Sequence, residues 1–323
     1  MIKKERKIPI KLEKLEALNR RIPSQHPKKS QILEELTKRR AGYYGEKSLD
    51  YHLSFMDEKN YHILHDLRLR NIRKQYFQID TLISSPYFIS ILDVKNMGGT
   101  IIFDRHFHQL IQQNGEVEKA YQDPVTQVKR HELQLKEWLH QHKFPAIPIL
   151  PLVVISNPST IIKTIGDPKE YQHITKAIHI NFEISKYEKL YKEVKLSNRE
   201  WNKLASLLVK KHTPEEYDVM VKFHIHKSEI LTGVHCPNCS AIPMKRLHGK
   251  WLCLLCQFSS KTAYALALRD YALLFGTSIS NQEIREFLQL TPKNIVTNIT
   301  KSMNLPSSGV GRAKIYYLDQ LLR

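Results

Sequence analysis

The amino-acid sequence predicts an α/β protein: a mixed sheet flanked by helices, a small cysteine module, and a C-terminal α domain. Three observations support this prediction. Within residues 41–185, apolar runs of strand length alternate with segments whose apolar residues repeat at helical spacing. All four cysteines lie in two Cys-x-x-Cys pairs between residues 233 and 260. Residues 261–323 read as three helices followed by a hairpin.

The composition is that of an ordinary globular chain, with 41% hydrophobic and 25% charged residues, so disorder is not expected. Its 50 lysines and arginines exceed its 32 aspartates and glutamates, which gives a formal net charge of +18. Such an excess favours a polyanionic partner, because each neutralised phosphate releases counterions. An anionic membrane is the rival interpretation, but no basic amphipathic helix supports it.

The beginning of the chain, MIKKERKIPI, is basic and lacks the apolar core of a signal peptide. The longest apolar run, residues 147–155, is interrupted by prolines and is too short to cross a bilayer. We therefore expect a cytoplasmic protein with no membrane partner. In that compartment cysteines serve as metal ligands more often than as disulfides.

Residues 1–40 are predicted to form a basic helical lead-in, with helices at 11–19 and 30–40 around a proline-containing break. Lys38, Arg39 and Arg40 either contact a phosphate backbone or form a solvated helix face. A further helix is predicted over residues 45–56. It places Glu46 in its first turn, where the helix dipole alone favours an acid.

A β-hairpin is predicted from two apolar runs, 77–84 and 87–95, joined by a Ser-Ser-Pro turn and preceded by a strand at 61–69. Few charges interrupt the runs: Asp80, Asp93 and Lys95. Since side chains alternate along a strand, Asp93 and Lys95 point to one face, as do Gln78 and Asp80. Buried carboxylates need a compensating partner or a metal ion.

Metal-assisted phosphodiester hydrolysis is the chemistry that fits these charges. Two carboxylates hold Mg²⁺ and leave the other ligand positions for waters and a substrate phosphate. The lysine orients the attacking water or stabilises the charge that develops on phosphorus. The alternative is a solvated pair of strand-tip acids with a salt-bridged lysine.

The rest of this region continues the α/β pattern. A turn at 97–99 leads into a short strand at 100–104, and a strand at 149–156 closes the unit. A helix is predicted over residues 123–141, with Asp123 as its N-cap before Pro124. Gln127 would lie on the first turns of this helix, facing either the acids or solvent.

These motifs resemble a known family. Asp80 followed by Asp93-Val94-Lys95 is similar to the PD-(D/E)xK nuclease core. Over residues 40–157 the chain closely resembles the nuclease-related domain family, NERD, through four pieces: Gly45-Glu46, Gln78-Ile79-Asp80, Val94-Lys95-Asn96 with the glycines that follow, and Asp123-Pro124 with Gln127.

The resemblance implies a restriction-endonuclease-like mixed sheet and a nuclease that hydrolyses nucleic acid, with DNA the expected substrate. Asp80 and Asp93 would bind Mg²⁺ or Mn²⁺, and Lys95 would act on the attacking water. The assisting residues would be Glu46, Gln78 and Gln127.

Asp93 departs from the family pattern, which usually has glutamate at this position. Aspartate is one methylene shorter and would shift the metal. A second hypothesis is therefore a nucleic-acid-binding or regulatory protein whose nuclease-like core does not cut. No glycine-rich phosphate loop, nucleophile elbow or His-Glu-x-x-His motif offers a different chemistry.

Residues 186–232 are predicted to be a helical connector without catalytic residues. Its main element is a helix at 188–211, with a buried stripe formed by Trp201, Leu204, Leu207 and Leu208.

Cys236, Cys239, Cys253 and Cys256 predict a zinc ribbon over residues 233–260. Four sulfurs complete a tetrahedron and leave no open position, so the predicted Zn²⁺ is structural. The hairpin between the pairs carries Lys245, Arg246 and Lys250. These side chains either meet a phosphate backbone or belong to a ribbon that only braces its neighbours.

Residues 261–323 resemble a winged-helix domain. Helices are predicted at 261–274, at 282–288 and from Thr291-Pro292 to residue 302, with a strand at 313–318. The predicted nucleic-acid-binding side chains are polar or basic and lie on the third helix or the wing: Lys293, Asn294, Asn298, Lys301 and Arg312. A protein-contact role is the alternative.

Overall fold

The computed structural model describes residues 1–167, 171–291 and 293–322, with Lys293 described by its backbone alone. The α-helices are α1 Ile10–Arg21, α2 Lys29–Leu53, α3 Pro124–Gln141, α4 Ile180–Leu190, α5 Asn198–Lys211, α6 Val219–Phe223, α7 Tyr264–Phe275, α8 Asn281–Leu288 and α9 Lys293–Ser302. The strands are β1 Ile2–Lys4, β2 His62–Arg70, β3 Tyr76–Ser84, β4 Ile89–Lys95, β5 Thr100–Asp104, β6 Gln109–Asn114, β7 Val117–Gln122, β8 Ile149–Ile155, β9 Ile161–Ile165, β10 Ile174–Lys176, β11 Lys245–Arg246, β12 Trp251–Leu252, β13 Ser259–Ser260, β14 Ser278–Ser280, β15 Ser307–Ser308 and β16 Ile315–Tyr317. Short 3₁₀ turns lie at Ala177–His179, Lys227–Glu229, Gly311–Ala313 and Asp319–Leu322.

The chain divides into two compact units. The first unit comprises Met1–Ile8 and Arg39–Glu215, and the second comprises Pro9–Lys38 and Glu216–Arg323. The predicted domain boundaries at residues 41, 186, 233 and 261 stay predictions. Within the described ranges, none of the helices has the length and apolar character needed to cross a bilayer.

A six-stranded mixed sheet forms the centre of the first unit, in the order β1-β2-β3-β4-β8-β10. Strands β2, β3 and β4 pair antiparallel, whereas β8 is parallel to both β4 and β10. The predicted hairpin is confirmed, with Thr81 opposite Leu92 and Ser84 opposite Ile89. The sequence predicted this strand pair because both strands are apolar and a Ser-Ser-Pro turn separates them.

Two hydrophobic cores cover the two faces of the sheet. Along β8, Val153 and Ile155 join the core that includes α3 and α5, whereas Leu152 and Val154 join the core that includes α2 and α4. This alternation follows the two-residue period of a strand. The predicted mixed sheet flanked by helices is therefore confirmed.

A second sheet of four strands, β7-β6-β5-β9, was predicted only at β5. Strands β6 and β7 are rich in glutamine and charged residues, and every residue of β7 is exposed. Leu110 of β6 is buried in the core, but β7 has no buried residue, so the pair lacks the apolar alternation from which strands are recognised. Hydrophobic pattern therefore could not reveal it.

Helix α2 corrects the prediction of separate helices at 30–40 and 45–56, because one helix runs through both segments. Gly42 and Gly45 lower helix propensity and suggested a break. A Cβ at Gly45 would lie 2.9 Å from Ser156 Oγ and closer still to Asn96 Cβ. Glycine is thus required there for close packing, and Glu46 lies far from the first turn where it was predicted.

The predicted helix at 188–211 is also wrong in its first part. Helix α4 ends at Leu190 and α5 begins at Asn198. Ser197 caps α5 by accepting from the Glu200 backbone N–H, while the Glu200 carboxylate accepts from the Ser197 N–H. This Ser-x-x-Glu capping box was the signal that the helical periodicity obscured.

The second unit packs α1 against α6 and α7. A buried ion pair joins Arg21 to Asp270 at 2.8 Å, with both side chains fully buried, and Arg20 adds a second contact to Asp270 at 2.6 Å. The small sheet β11-β12-β13 lies in the cysteine segment, and a second sheet has the order β14-β16-β15. The C-terminal order is therefore α7, β14, α8, α9, β15, β16, which includes a strand, β14, that was not predicted.

His62 gives the first unit an expected sensitivity to acid. Its ring stacks on Trp201 with centroids 3.7 Å apart, and burial, aided by Lys3 and the N-terminal ammonium, lowers the pKa of His62 to about 4. Because the unfolded chain takes up this proton near pH 6.5 and the folded chain does not, stability present above pH 6.5 is lost as pH falls toward 4.

We expect His62→Phe, which keeps the stack but cannot be protonated, to weaken the pH dependence of the unfolding free energy in that window. The difference in slope is at most about 1.4 kcal/mol per pH unit, the value for one proton. Urea denaturation of both proteins at several pH values between 7.5 and 4.5 measures it. Identical slopes would contradict the assignment to His62.

Candidate active site and candidate metal centre

Asp80 and Asp93 lie where β3 and β4 separate. The backbone pairing of these strands ends at Thr81 and Leu92, and the two acids are the next residues on each strand. The Val94 N–H donates to Asp80 Oδ2 at 2.9 Å, so this carboxylate bridges the gap that opens between the strands. Continuation of the register puts both acids on one face of the sheet. We name this place the acidic fork.

Burial gives the acids of the fork a high affinity for protons. Burial first and Asp93 second raise the pKa of Asp80 to about 7, although the Val94 N–H, Lys95 and Arg6 oppose the rise. Asp93 is 4% exposed, and burial raises its pKa above the ordinary value against the effect of Lys95. A carboxylate pair in this state gains stability from an added cation.

Lys95 connects the fork to α3. Its Nζ lies 2.8 Å from Asp93 Oδ2, at angles outside those of a hydrogen bond, and it donates to Gln127 Oε1 at 3.2 Å. Burial lowers the pKa of Lys95, but Asp93, Asp80 and Glu46 outweigh burial, so the net pKa is raised. Lys95 is therefore a cation at neutral pH.

Helix α2 brings Glu46 toward the fork from the other face of the sheet. The close approach at Gly45 and a hydrogen bond from Asn96 Nδ2 to Ala41 O, 2.7 Å long, fix the helix against the end of β4. Burial and then Asp80 raise the pKa of Glu46 to about 8, while Arg6 lowers it. The predicted motif pieces Gly45-Glu46 and Val94-Lys95-Asn96 thus meet in space.

Arg6 is a central residue that the sequence did not indicate. Its side chain is 3% exposed and donates to Glu46 Oε2 at 2.7 Å and Asp50 Oδ1 at 3.2 Å. It also lies 2.9 Å from His65 Nδ1 and 3.0 Å from Thr81 Oγ1. Its partners come from three elements separated from it by at least forty residues, so no local pattern could predict the cluster.

Replacing Arg6 by methionine is expected to destabilise the first unit by about 1.5–3 kcal/mol, the typical contribution of hydrogen bonds to charged groups. Glu46 and Asp50, which are partly exposed, would lose the guanidinium that they share. Guanidinium denaturation measures the loss, and Lys7→Met is the matched control because Lys7 is exposed and adjacent. Adding Glu46→Gln to Arg6→Met should recover part of the stability. A loss below about 1 kcal/mol would show that the cluster is not stabilising.

Two further residues near the fork were not predicted. Asp66 lies in β2 with a left-handed backbone, φ 51°, and its Oδ1 accepts from Gln78 Nε2 at 2.8 Å. The predicted site residue Gln78 is therefore exposed and engaged with Asp66. His131 lies one turn beyond Gln127 on α3, and burial, Arg130 and Lys95 lower its pKa to about 4. Its position four residues after Gln127 on the predicted helix could have indicated that it lies on the same face.

The four cysteines are brought together as predicted. Their sulfur atoms all lie within 4.8 Å of one another, with Cys236 Sγ 3.5 Å from Cys256 Sγ and Cys239 Sγ 3.5 Å from Cys253 Sγ. A tetrahedron with Zn–S bonds of about 2.3 Å has edges of about 3.8 Å, so this set can hold a metal ion of that size. Among the described residues, no other three histidine, cysteine or acidic side chains approach so closely.

The predicted nucleic-acid-binding residues lie on the surface of the second unit. Asn294, Asn298 and Lys301 are exposed and follow one another at helical spacing on α9. Arg312 is exposed in the Gly311–Ala313 turn. The side chain of Lys293 lies outside the described residues. Their contacts with nucleic acid stay predictions.

Part of the first unit is similar to a known family. Residues 41–156 match the family model of the nuclease-related domain, NERD. This confirms the predicted resemblance for that segment. The ribbon and winged-helix interpretations stay predictions.

One similar protein is an uncharacterized protein of Bacillus anthracis. It is 24% identical over 159 residues, which cover 49% of this chain and 71% of that protein. No solved structure matches the chain.

Proposed function

We propose that the protein is a metal-dependent nuclease that hydrolyses phosphodiester bonds in DNA. One observation carries the proposal: Asp80 and Asp93 are the residues next to the last paired positions of β3 and β4, and Lys95 contacts both Asp93 and Gln127. The nuclease-related family match over residues 41–156 supports the same class of partner.

The donor set of the fork fits Mg²⁺ or Mn²⁺. The ligand atoms would be the hard carboxylate oxygens of Asp80 and Asp93. Mg²⁺ takes one or two carboxylates and keeps several waters, so it needs no third carboxylate close by. Asp93 Oδ2 is buried and lies 2.8 Å from Lys95 Nζ, so a bound ion would share this oxygen with the ammonium or use the other oxygen of Asp93. When bound, the ion neutralises charge on the scissile phosphate and acidifies a water.

The chain's own residues supply positioning and charge around that ion. Lys95 keeps its proton and faces developing negative charge, while Gln127 holds the ammonium in place. Glu46, with a pKa near 8, exchanges a proton close to neutral pH, as a general acid or base must. Gln78 orders Asp66 at the edge of the site.

The second unit is proposed to bind the DNA substrate. Zn²⁺ on the four cysteines would be structural, since all its ligand positions are filled by protein. The exposed face of α9, with Asn294, Asn298 and Lys301, supplies groups that reach bases and phosphates in a winged-helix arrangement.

A plasmid-cleavage assay tests the proposal. The wild-type protein is expected to cut in Mg²⁺ or Mn²⁺ and not after the divalent ion is withdrawn, and both Asp93→Ala and Lys95→Ala are expected to abolish cutting. Tight DNA binding without cleavage under either metal would instead identify a nucleic-acid-binding or regulatory protein with an inactive core.

A further inference from the structure

A cavity of about 670 Å³ lies within the second unit, beside the cysteine module. Its walls come from the β11 segment, the second cysteine pair and the chain leading into α9. Three basic or imidazole side chains line it, Lys245, Arg246 and His248, and no carboxylate is among its lining residues. We name it the basic groove.

Arg246 is the unusual residue of the basic groove. Its guanidinium carbon lies 5.2 Å from the centre of the Trp251 ring, which holds the group in place. Its Nε and Nη1 atoms are shielded from water and have no hydrogen-bond partner among the described residues. Buried donors without acceptors destabilise a protein, so a small shift of this side chain toward an acceptor in the groove would be favourable. A phosphate oxygen is the acceptor that a guanidinium binds most readily.

The apolar part of the groove narrows the choice of ligand. Leu254, between the second pair of cysteines, is 62% exposed and lines the groove together with Ile295. Single-strand binding sites combine basic side chains with an exposed surface, usually aromatic, against which a base packs, and Leu254 offers an aliphatic surface of this kind. A fully paired duplex presents phosphates but keeps its bases stacked inside.

We propose that the basic groove binds a single-stranded segment of nucleic acid, with a phosphate at Arg246 and Lys245 and a base or sugar against Leu254. The proposal adds to the nuclease function a contact with one nucleic-acid strand in the second unit. It rests on that function only for the expectation that the bound polymer is a nucleic acid.

Fluorescence anisotropy with the full chain and a fluorescein-labelled oligothymidylate, in buffer free of divalent ions, tests the proposal. Lys245→Ala and Arg246→Gln are each expected to weaken binding about tenfold, the effect of one charge-assisted contact. Each should also reduce the slope of log affinity against log salt by about 0.7, the value for one phosphate on a single strand. A hairpin duplex of equal charge should lose less affinity than the single strand in both variants.

Lys261→Ala is the matched control, because Lys261 is exposed between the cysteine segment and α7 and does not line the groove. It should change affinity less than twofold. Arg246→Gln could loosen the packing on Trp251, so its metal content is compared with wild type, and Lys245→Ala tests the groove independently of that packing. Equal losses for Lys245→Ala and Lys261→Ala, or no loss for Lys245→Ala, would overturn the proposal, as would a duplex bound equally through the same side chains.

The binding assay separates this proposal from the nuclease proposal. Loss of strand binding in the groove variants of a protein that never cuts would support the groove and reject the nuclease. Metal-dependent cleavage with unchanged strand binding in the same variants would retain the nuclease and reject the groove.

Discussion

Alanine at Asp93 or at Lys95 is expected to lower the Mg²⁺-dependent cleavage rate of DNA by at least about 10²–10³-fold, the loss typical when one preorganised charge is removed from a reacting centre. Asp93→Ala leaves Asp80 as the remaining carboxylate of the fork. Lys95→Ala removes the cation that lies 2.8 Å from Asp93 and the donor to Gln127. Initial rates of linearisation of a supercoiled plasmid measure both losses.

Conservative variants distinguish lost chemistry from lost folding. Asp93→Asn keeps the volume of a residue that is 4% exposed, and Lys95→Met keeps the length of the lysine stem. Both should fold and still cut poorly. Glu118→Ala, on the exposed strand β7, should cut at the wild-type rate. Full activity in Asp93→Asn and Lys95→Met would remove the acidic fork as the reaction centre.

Removing the proposed zinc ion from the four cysteines is expected to unfold the segment around them. Its three strands have two residues each, too few to hold a sheet by backbone pairing alone. Structural zinc in zinc-finger peptides contributes roughly 10–16 kcal/mol, far more than these strands supply. Trp251, now 1% exposed, should enter water, and its fluorescence should shift to the red when phenanthroline is added.

The chain has three tryptophans, so the signal must be assigned. Trp251→Phe should abolish the chelator-dependent shift, whereas Trp138 and Trp201 lie buried in the first unit and should not respond. Metal analysis should give one zinc per chain in the wild type and none in Cys239→Ser. Metal-free protein with native Trp251 fluorescence would contradict a structural role for the ion.

Local signals in the sequence predicted the parts of the site that depend on neighbouring residues. Asp123 before Pro124 predicted the N-cap of α3, and Asp123 does accept from the Val125 and Thr126 N–H groups. The hairpin followed from two apolar runs and one turn. Those two elements position Asp80, Asp93, Lys95 and Gln127.

Interactions that depend on distant parts of the chain were not predictable. Arg6 meets Glu46 and Thr81 only because β1 adds to the edge of the sheet, and nothing near Arg6 in the sequence marks that event. Strands β6 and β7 lack a regular alternation of apolar and polar residues, so periodicity gave no sign of them. Tertiary packing determines both the position of Arg6 and the formation of strands β6 and β7.

The close packing of Gly45 against Asn96 and Ser156 has an evolutionary consequence. A single methyl group added there would push α2 outward and carry Glu46 away from the acids, although it alters no ionisable group and touches no substrate. Proteins descended from this sequence could therefore lose the proposed nuclease activity through a steric change alone, while every charged residue of the fork is retained. Such a descendant would still contain every proposed catalytic residue, so a comparison of those residues alone would predict activity. The loss would be explained only by the residue that replaces Gly45.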